Sequence, residues 1–264
     1  MKVVLCALAK NENLYVNDWV KWYINLGFDI IYLFDNNDKE TPYVGNFIDK
    51  EYKDRVIIKN ISGLSGRGFQ KKVYKDFYDT YKNTFDWCFF CDIDEFLTGV
   101  NNIKEFLSNP SFNNVEQIRI KWKLYGDDDM IERDISVPVY KAFKKQINNN
   151  KKSNQGKTII RGHLHKVYFN SVHYGACDEH ETILKSCLPS SKECHSKVNI
   201  EEDYSNEQVY LNHYMTKTLS EFVKQKQGRG DAVHGNVLDL DYFWRINTKT
   251  KEKLDWLNYN LKQC

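Results

Sequence analysis

An uninterrupted apolar run, Trp87-Cys88-Phe89-Phe90-Cys91, ends in Asp92-Ile93-Asp94-Glu95 before Phe96-Leu97. Water solvates isolated carboxylates far better than a protein interior does, so three acids at a buried strand end call for a cation. If the strand continues through them, Asp92 and Asp94 share a face with side chains ~7 Å apart. One could then hold a metal directly while the other reaches a bound ligand or a metal-bound water. Oxygen ligands of this kind suit Mg²⁺ or Mn²⁺, which keep positions open for phosphate oxygens. An isolated Asp-x-Asp is also compatible with solvated acids at a strand end; its place after a fully apolar strand favours the metal.

The elements that must position these acids alternate along the first half of the chain. Val3–Ala9 is a continuous apolar run bounded by polar residues, the pattern of a strand covered on both faces. Tyr15–Leu26 carries Trp19, Trp22, Tyr23 and Leu26 on one helical face and closes at Gly27. The pattern predicts strands over Asp29–Phe34, Arg55–Lys59 and Asp86–Asp92, and helices over Tyr43–Tyr52 and Phe69–Tyr81. Strands separated by helices imply a parallel sheet, whose ligands bind beyond the carboxyl ends of the strands. Three such ends are polar: Lys10-Asn11-Glu12, Asp35-Asn36-Asn37 and Asp92-Ile93-Asp94-Glu95. They should converge at one edge. Neither a Gly-x-Gly-x-x-Gly turn nor a Gly-x-x-x-x-Gly-Lys loop is present.

Beyond a short helix over Asn101–Leu107 the pattern changes. Val115–Tyr125 and Thr158–His173 read as strands without long intervening helices, an antiparallel addition, and Val209–Met215 as a further strand. Leu219–Gln227 and Lys249–Leu261 read as terminal helices. There is no internal repeat or obvious linker. The expected architecture is one mixed α/β domain over residues 1–264.

In three ordered blocks the chain resembles glycosyltransferases of the GT-A fold, specifically the family-2-like and family-92-like group. The first is Cys6-Ala7-Leu8-Ala9-Lys10-Asn11-Glu12 with the Trp-rich helix and Gly27–Asn36; the second is Phe89–Leu97. The third is Asn212-His213-Tyr214-Met215-Thr216-Lys217-Thr218, with Glu221-Phe222, Lys224 or Lys226, and Arg229-Gly230 downstream. Lys157, Ile159, Arg161 and His173 match more faintly. The resemblance implies a Rossmann-like, mostly parallel sheet with helices on both faces. It also implies transfer of a sugar from a nucleotide-sugar, a UDP-sugar by expectation, to a hydroxyl of a glycan, glycolipid or glycoprotein, as in polysaccharide biosynthesis. Ala9, Lys10, Asn11, Glu12, Asp35 and Asn36 become donor-site residues, Asp92 lies near the ribose, and Asp94 and His213 hold Mn²⁺ or Mg²⁺. Asp92 counts with them as a metal-site residue. Lys217, Lys226 and Arg229, with Lys157 and Arg161, could add positive potential around the diphosphate.

Relatives of this kind invert at the anomeric carbon, which requires a base on the acceptor hydroxyl. Asp127 and Asp178 are the expected bases, with His173 a third. An inactive nucleotide- or carbohydrate-binding module of the same fold is the alternative, although the acids and His213 are all retained. A glycoside hydrolase using Asp94 and Glu95 fits poorly, because adjacent strand residues point to opposite faces.

The 264 residues carry 38 Lys+Arg and 36 Asp+Glu. Between Ile135 and Cys177 lie eight bases and no acid, leaving 30 bases against 36 acids elsewhere. Lys141–Lys157 reads either as a solvated loop or as a surface for a phosphorylated acceptor or an anionic membrane. Aromatic interleaving of the kind that reads nucleic acid is lacking. Of the seven cysteines, Cys177, Cys187 and Cys194 are separated by nine and six intervening residues and lack the close pairs of a zinc ribbon, so they read as reduced thiols. The longest apolar run, Val3 to Ala9, is far short of a membrane span, and Lys2 leads into no secretory pattern. The expected setting is cytoplasmic, peripheral to a membrane at most.

Overall fold

The computed structural model describes residues 1–147, 154–228 and 237–261. In chain order its elements begin β1 (Val3–Ala9), α1 (Val16–Asn25), β2 (Ile30–Asp35), β3 (Val56–Asn60), α2 (Phe69–Tyr81), β4 (Trp87–Phe90) and β5 (Glu95–Thr98). They continue with α3 (Ile103–Leu107), β6 (Gln117–Tyr125), α4 (Val139–Ala142), β7 (Gln146–Ile147), β8 (Gly156–Arg161), β9 (Ser186–Cys187) and β10 (Tyr210–Tyr214). Last come α5 (Leu219–Glu221), a π-helical turn over Phe222–Lys226, α6 (Leu240–Trp244) and α7 (Lys251–Asn260).

The strands form one sheet in the order β3-β2-β1-β4-β8-β6-β10-β5, with β7 and β9 attached to β6. β1, β2, β3 and β4 are mutually parallel. β8 runs antiparallel to both β4 and β6, and β10 runs parallel to β6. The carboxyl ends of β1, β2, β4, β6 and β10 therefore share one edge. This is the mixed, largely parallel α/β sheet expected of a Rossmann-like GT-A arrangement, with the predicted antiparallel addition.

Period-two alternation splits the core. Val3, Leu5, Ala7 and Ala9 pack with Trp19, Val20 and Tyr23 of α1 on one face. Val4 and Cys6 pack with Val73, Tyr74 and Phe77 of α2 on the other. Residues 3 to 7 and 9 of β1 are wholly buried, as a strand covered by helices on both sides must be.

Four expectations need correction. Tyr43–Tyr52 is not one helix but two 3₁₀ turns, Val44–Phe47 and Lys50–Arg55, because the backbone is extended at Ile48 (φ −101°, ψ 128°) and Asp49 N–H pairs with Asn17 Oδ1 instead of continuing a helix. β8 ends at Arg161 rather than His173; the chain turns away just after Gly162, through a left-handed His163 (φ 62°). Leu219–Gln227 forms one α turn, opened by a Thr218–Glu221 capping box, and then the π turn. The fourth strand stops at Phe90, short of the acids.

Gly156 shows how tightly the site is built in. It pairs with Lys121 across the β6–β8 ladder, and a Cβ there would lie 1.9 Å from the Ile120 carbonyl oxygen. Gly156→Ala should cost about 1–3 kcal/mol, as overpacking against backbone does, read as a lowered urea midpoint. An unchanged midpoint would show that this approach is not a constraint.

Candidate functional site

Past β4 the chain turns instead of extending. Glu95 N–H donates to Asp92 C=O (3.1 Å), and Glu95 Oε2 accepts Asp92 N–H (2.8 Å). From α1, Trp19 Nε1–H donates to the carbonyls of Asp92 and Glu95 (both 3.1 Å), and Tyr23 O–H to that of Glu95 (3.0 Å). These bonds satisfy the buried carbonyls that a continuing strand would have paired. Asp92 and Asp94 thus belong to a turn between β4 and β5, not to one strand face.

The two acids have separate partners. Asp92 accepts from Gln70 Nε2 and from Lys157 Nζ (both 2.8 Å). Burial pushes its carboxyl up, and Lys157 outweighs that, leaving it below the usual range. Asp94 Oδ2 accepts from the Lys226 ammonium, while Oδ1 faces His213 Nε2 at 3.5 Å. Here too burial acts upward, and Lys226 and His213 together hold Asp94 well below an ordinary carboxyl. Glu95 is wholly buried, which raises its carboxyl well above the ordinary value and favours the neutral acid.

β10 brings His213 to this point. His213 stands opposite Glu95 across the β5–β10 pair, and Tyr214 N–H donates to Asp94 C=O (2.9 Å). The His213 ring leans on Trp122 of β6 at 4.5 Å between centroids. Burial lowers its pKa despite Asp94, so the ring is neutral near pH 7. Just beyond β10, Lys217 adopts a left-handed backbone (φ 58°), places its ammonium 3.4 Å from Glu12 Oε2 and covers the Tyr15 ring. Tyr15 O–H donates to Glu221 (3.1 Å), which also receives Arg133. Asn11, at the end of β1, is left-handed as well (φ 56°). Such backbone costs energy and collects at functional edges.

Whether these residues fit a divalent ion can be judged from their spacing. Ligands side by side on an ion with ~2.1 Å bonds lie roughly 3 Å apart; Asp94 Oδ1 and His213 Nε2, 3.5 Å apart, are close to that. No set of three His, Cys, Asp or Glu side chains among the described residues converges on one ion position. The pair would supply two of the six positions around such an ion, leaving the rest to ligand oxygens, and the Lys226 ammonium would have to leave Oδ2. Held together at 4 Å, a divalent ion and an ammonium would repel by about 8 kcal/mol at an effective dielectric of 20.

The other expected residues distribute as follows. Ala9 C=O accepts Asn36 N–H (2.8 Å), and Asn11 N–H donates to Asn37 (2.8 Å), so the ends of β1 and β2 do meet. Asp35 builds this loop by accepting from Asn37 and Val44 N–H, and Lys10 pairs with Asp38. Asp127, beyond β6, is buried against Lys253; its N–H donates to Asn247 Oδ1, and Asn247 Nδ2 donates to Thr216 (3.0 Å). Asp178 is half-buried and caps a turn at Thr182. Arg161 lies at the opposite edge, stacked on Trp87 and donating to Val115 C=O, so it adds no charge to the site. Arg229 lies outside the described residues, as do Lys151 and Lys152. Of the expected basic surface, Lys157 points inward and is buried, because β8 is covered on both sides. Lys145 is paired with Asp129. Cys177, Cys187 and Cys194 are free thiols. No helix among the described residues is long and apolar enough to cross a membrane.

Sequence reasoning missed Gln70, Trp19 as a clamp on the acidic turn, and the Asn247 bridge. Only Trp19 carried a signal, an indole on the buried face of α1 whose N–H needed an acceptor.

No protein-family model and no curated protein matches the chain. Among solved structures, S. aureus TarS aligns with a TM-score of 0.35 and 14% identity over 53% of this chain. The match spans 23% of TarS, less than a quarter of that chain's length. A likeness this distant carries no argument about activity.

His173 gives the site a pH signature. Its Nδ1–H donates to Gly156 C=O (2.8 Å); burial, with Lys157 nearby, lowers its pKa to about 3. The unfolded chain, with an ordinary value of about 6.5, binds this proton first, so stability is full above pH 6.5 and falls as pH drops toward 3. His173→Gln keeps a donor and removes the titration. It should reduce the slope of unfolding free energy between pH 6 and 4 by up to about 1.4 kcal/mol per pH unit. An unaltered slope in urea titrations would contradict this assignment.

Proposed function

We propose that the chain is a glycosyltransferase that moves a sugar from a nucleoside diphosphate, by expectation UDP, to an acceptor hydroxyl. The observation that carries this reading is the meeting of Asp94, His213, Lys226, Lys217 and Glu12 where the ends of β1, β4 and β10 come together. Parallel sheets bind ligands at that edge, and the ordered blocks of resemblance fall on the same residues. Asn36 supports a nucleoside nearby, because its buried Oδ1 has no partner among the described residues and offers an acceptor to a base N–H.

In this reading the bond between the anomeric carbon and the β-phosphate oxygen breaks as the acceptor oxygen attacks. The acceptor proton passes to a base, and the nucleoside diphosphate leaves with the bonding electrons. A divalent ion, Mn²⁺ or Mg²⁺, on Asp94 and His213 would supply positive charge for that leaving group. Lys217 would add a fixed ammonium, and Asp92, anchored by Gln70 and Lys157, would accept from a ribose hydroxyl. Asp127 takes the acceptor side in preference to Asp178, because Asn247 ties it to Thr216 beside Lys217. The retained acids make an inactive binding module the weaker alternative. The acceptor would be a glycan or glycoconjugate.

Calorimetry with UDP and Mn²⁺ tests the assignment. Wild-type protein should bind the pair, and Asp94→Asn should weaken binding at least tenfold. Equal affinity in the two proteins would overturn it. A panel of nucleotide-sugars then identifies the donor through hydrolysis. Asp127→Asn should lower transfer by about 10²-fold or more with UDP affinity intact; a change in stability alone would leave Asp127 as a clamp on α7.

A further inference from the structure

The cation that the acidic turn demands is already present as a lysine. Lys226 Nζ bonds Asp94 Oδ2 and donates to Met215 C=O (2.7 Å), and both side chains are buried. Around them Lys157 answers Asp92, and Lys217 answers Glu12. The formal charges of these three acids and three ammonium groups cancel. Lys226 ends the π-helical turn, an arrangement frequent at functional sites, with a wider, less regular backbone than an α-helix.

We infer that Lys226 is the resident counter-ion of Asp94 and gives up that carboxylate to a divalent ion only when a diphosphate arrives to receive the ammonium. This rests on the nucleotide-sugar reading given above. A free divalent ion approaching Asp94 meets a carboxylate already neutralised and an ammonium that repels it. A free diphosphate meets a cluster with no net charge to attract it. Together they bring nearly balanced charges: the ion replaces the ammonium on Asp94, and the ammonium pairs with phosphate oxygens. Ion and nucleotide should therefore bind synergistically. Lys226 would be the element that couples them, and it would keep the site from capturing ions without donor.

Mn²⁺ binding followed by electron paramagnetic resonance tests this in the full chain. Wild-type protein should bind Mn²⁺ weakly by itself and at least tenfold more tightly with UDP. Lys226→Met should bind Mn²⁺ alone at least tenfold more tightly than wild type, with a smaller further gain from UDP. Lys226→Gln, which keeps a hydrogen-bond donor without charge, should behave alike and guards against a packing defect in the Met variant. Asp94→Asn placed on either variant should abolish the gain. Equal Mn²⁺ affinity, without nucleotide, in wild type and both variants overturns the exchange. If UDP binds none of the proteins, the nucleotide-sugar reading falls, while the Mn²⁺-only titrations still decide whether Lys226 competes for Asp94.

Discussion

A carboxylate cannot be buried at a strand end without a cation, and the rest of this molecule is arranged around that constraint at Asp94. Leaving such a charge unpaired costs about 3–5 kcal/mol. Lys226 and His213 prevent this, and both come from beyond residue 210. The first half of the chain supplies the acids, and the second half must close over them before the core is electrostatically complete. β10 makes that closure by pairing with β5, the strand that emerges directly from the acidic turn.

The same constraint explains why α1 is so rich in indole and phenol groups. Trp19, Trp22 and Tyr23 pack apolar rings against the sheet, yet each sends a polar atom to a carbonyl between Asp92 and Leu97. A buried hydrogen bond of this kind contributes only about 1 kcal/mol net, but an unpaired carbonyl would cost more. The helix thereby fixes the turn geometry as well as covering the core. A rigid helix behind the acidic turn holds its side chains within narrow limits.

Much of this was legible in the sequence because it depends on local pattern. The apolar runs of β1, β2 and β4 and the helical spacing of α1 and α2 announce themselves, and with them the shared edge where Ala9, Asp35 and Asp92 end. The acidic cluster was legible as a place needing positive charge. The source of that charge was not, because nothing in a linear string tells an inward lysine from an outward one. Lys157 sat within a basic stretch that reads as surface, yet β8 buries it. Lys226 was visible as a source of positive potential, but its contact with Asp94 spans 132 positions in the chain. β5 was hidden because four residues, Glu95-Phe96-Leu97-Thr98, are too few to show a period, and the break between the 3₁₀ turns after Tyr43 falls where Asp49 N–H pairs with Asn17, 32 positions away, which no local propensity records.

The account stands or falls on what occupies Asp94 when the site is loaded. The most direct measurement is a crystal structure of the chain soaked with UDP and Mn²⁺, read by the anomalous signal of manganese. The account predicts a peak between Asp94 Oδ1 and His213 Nε2, with the Lys226 ammonium moved onto phosphate oxygens. A nucleotide bound elsewhere, with Lys226 still on Asp94 and no peak at the acidic turn, would contradict it.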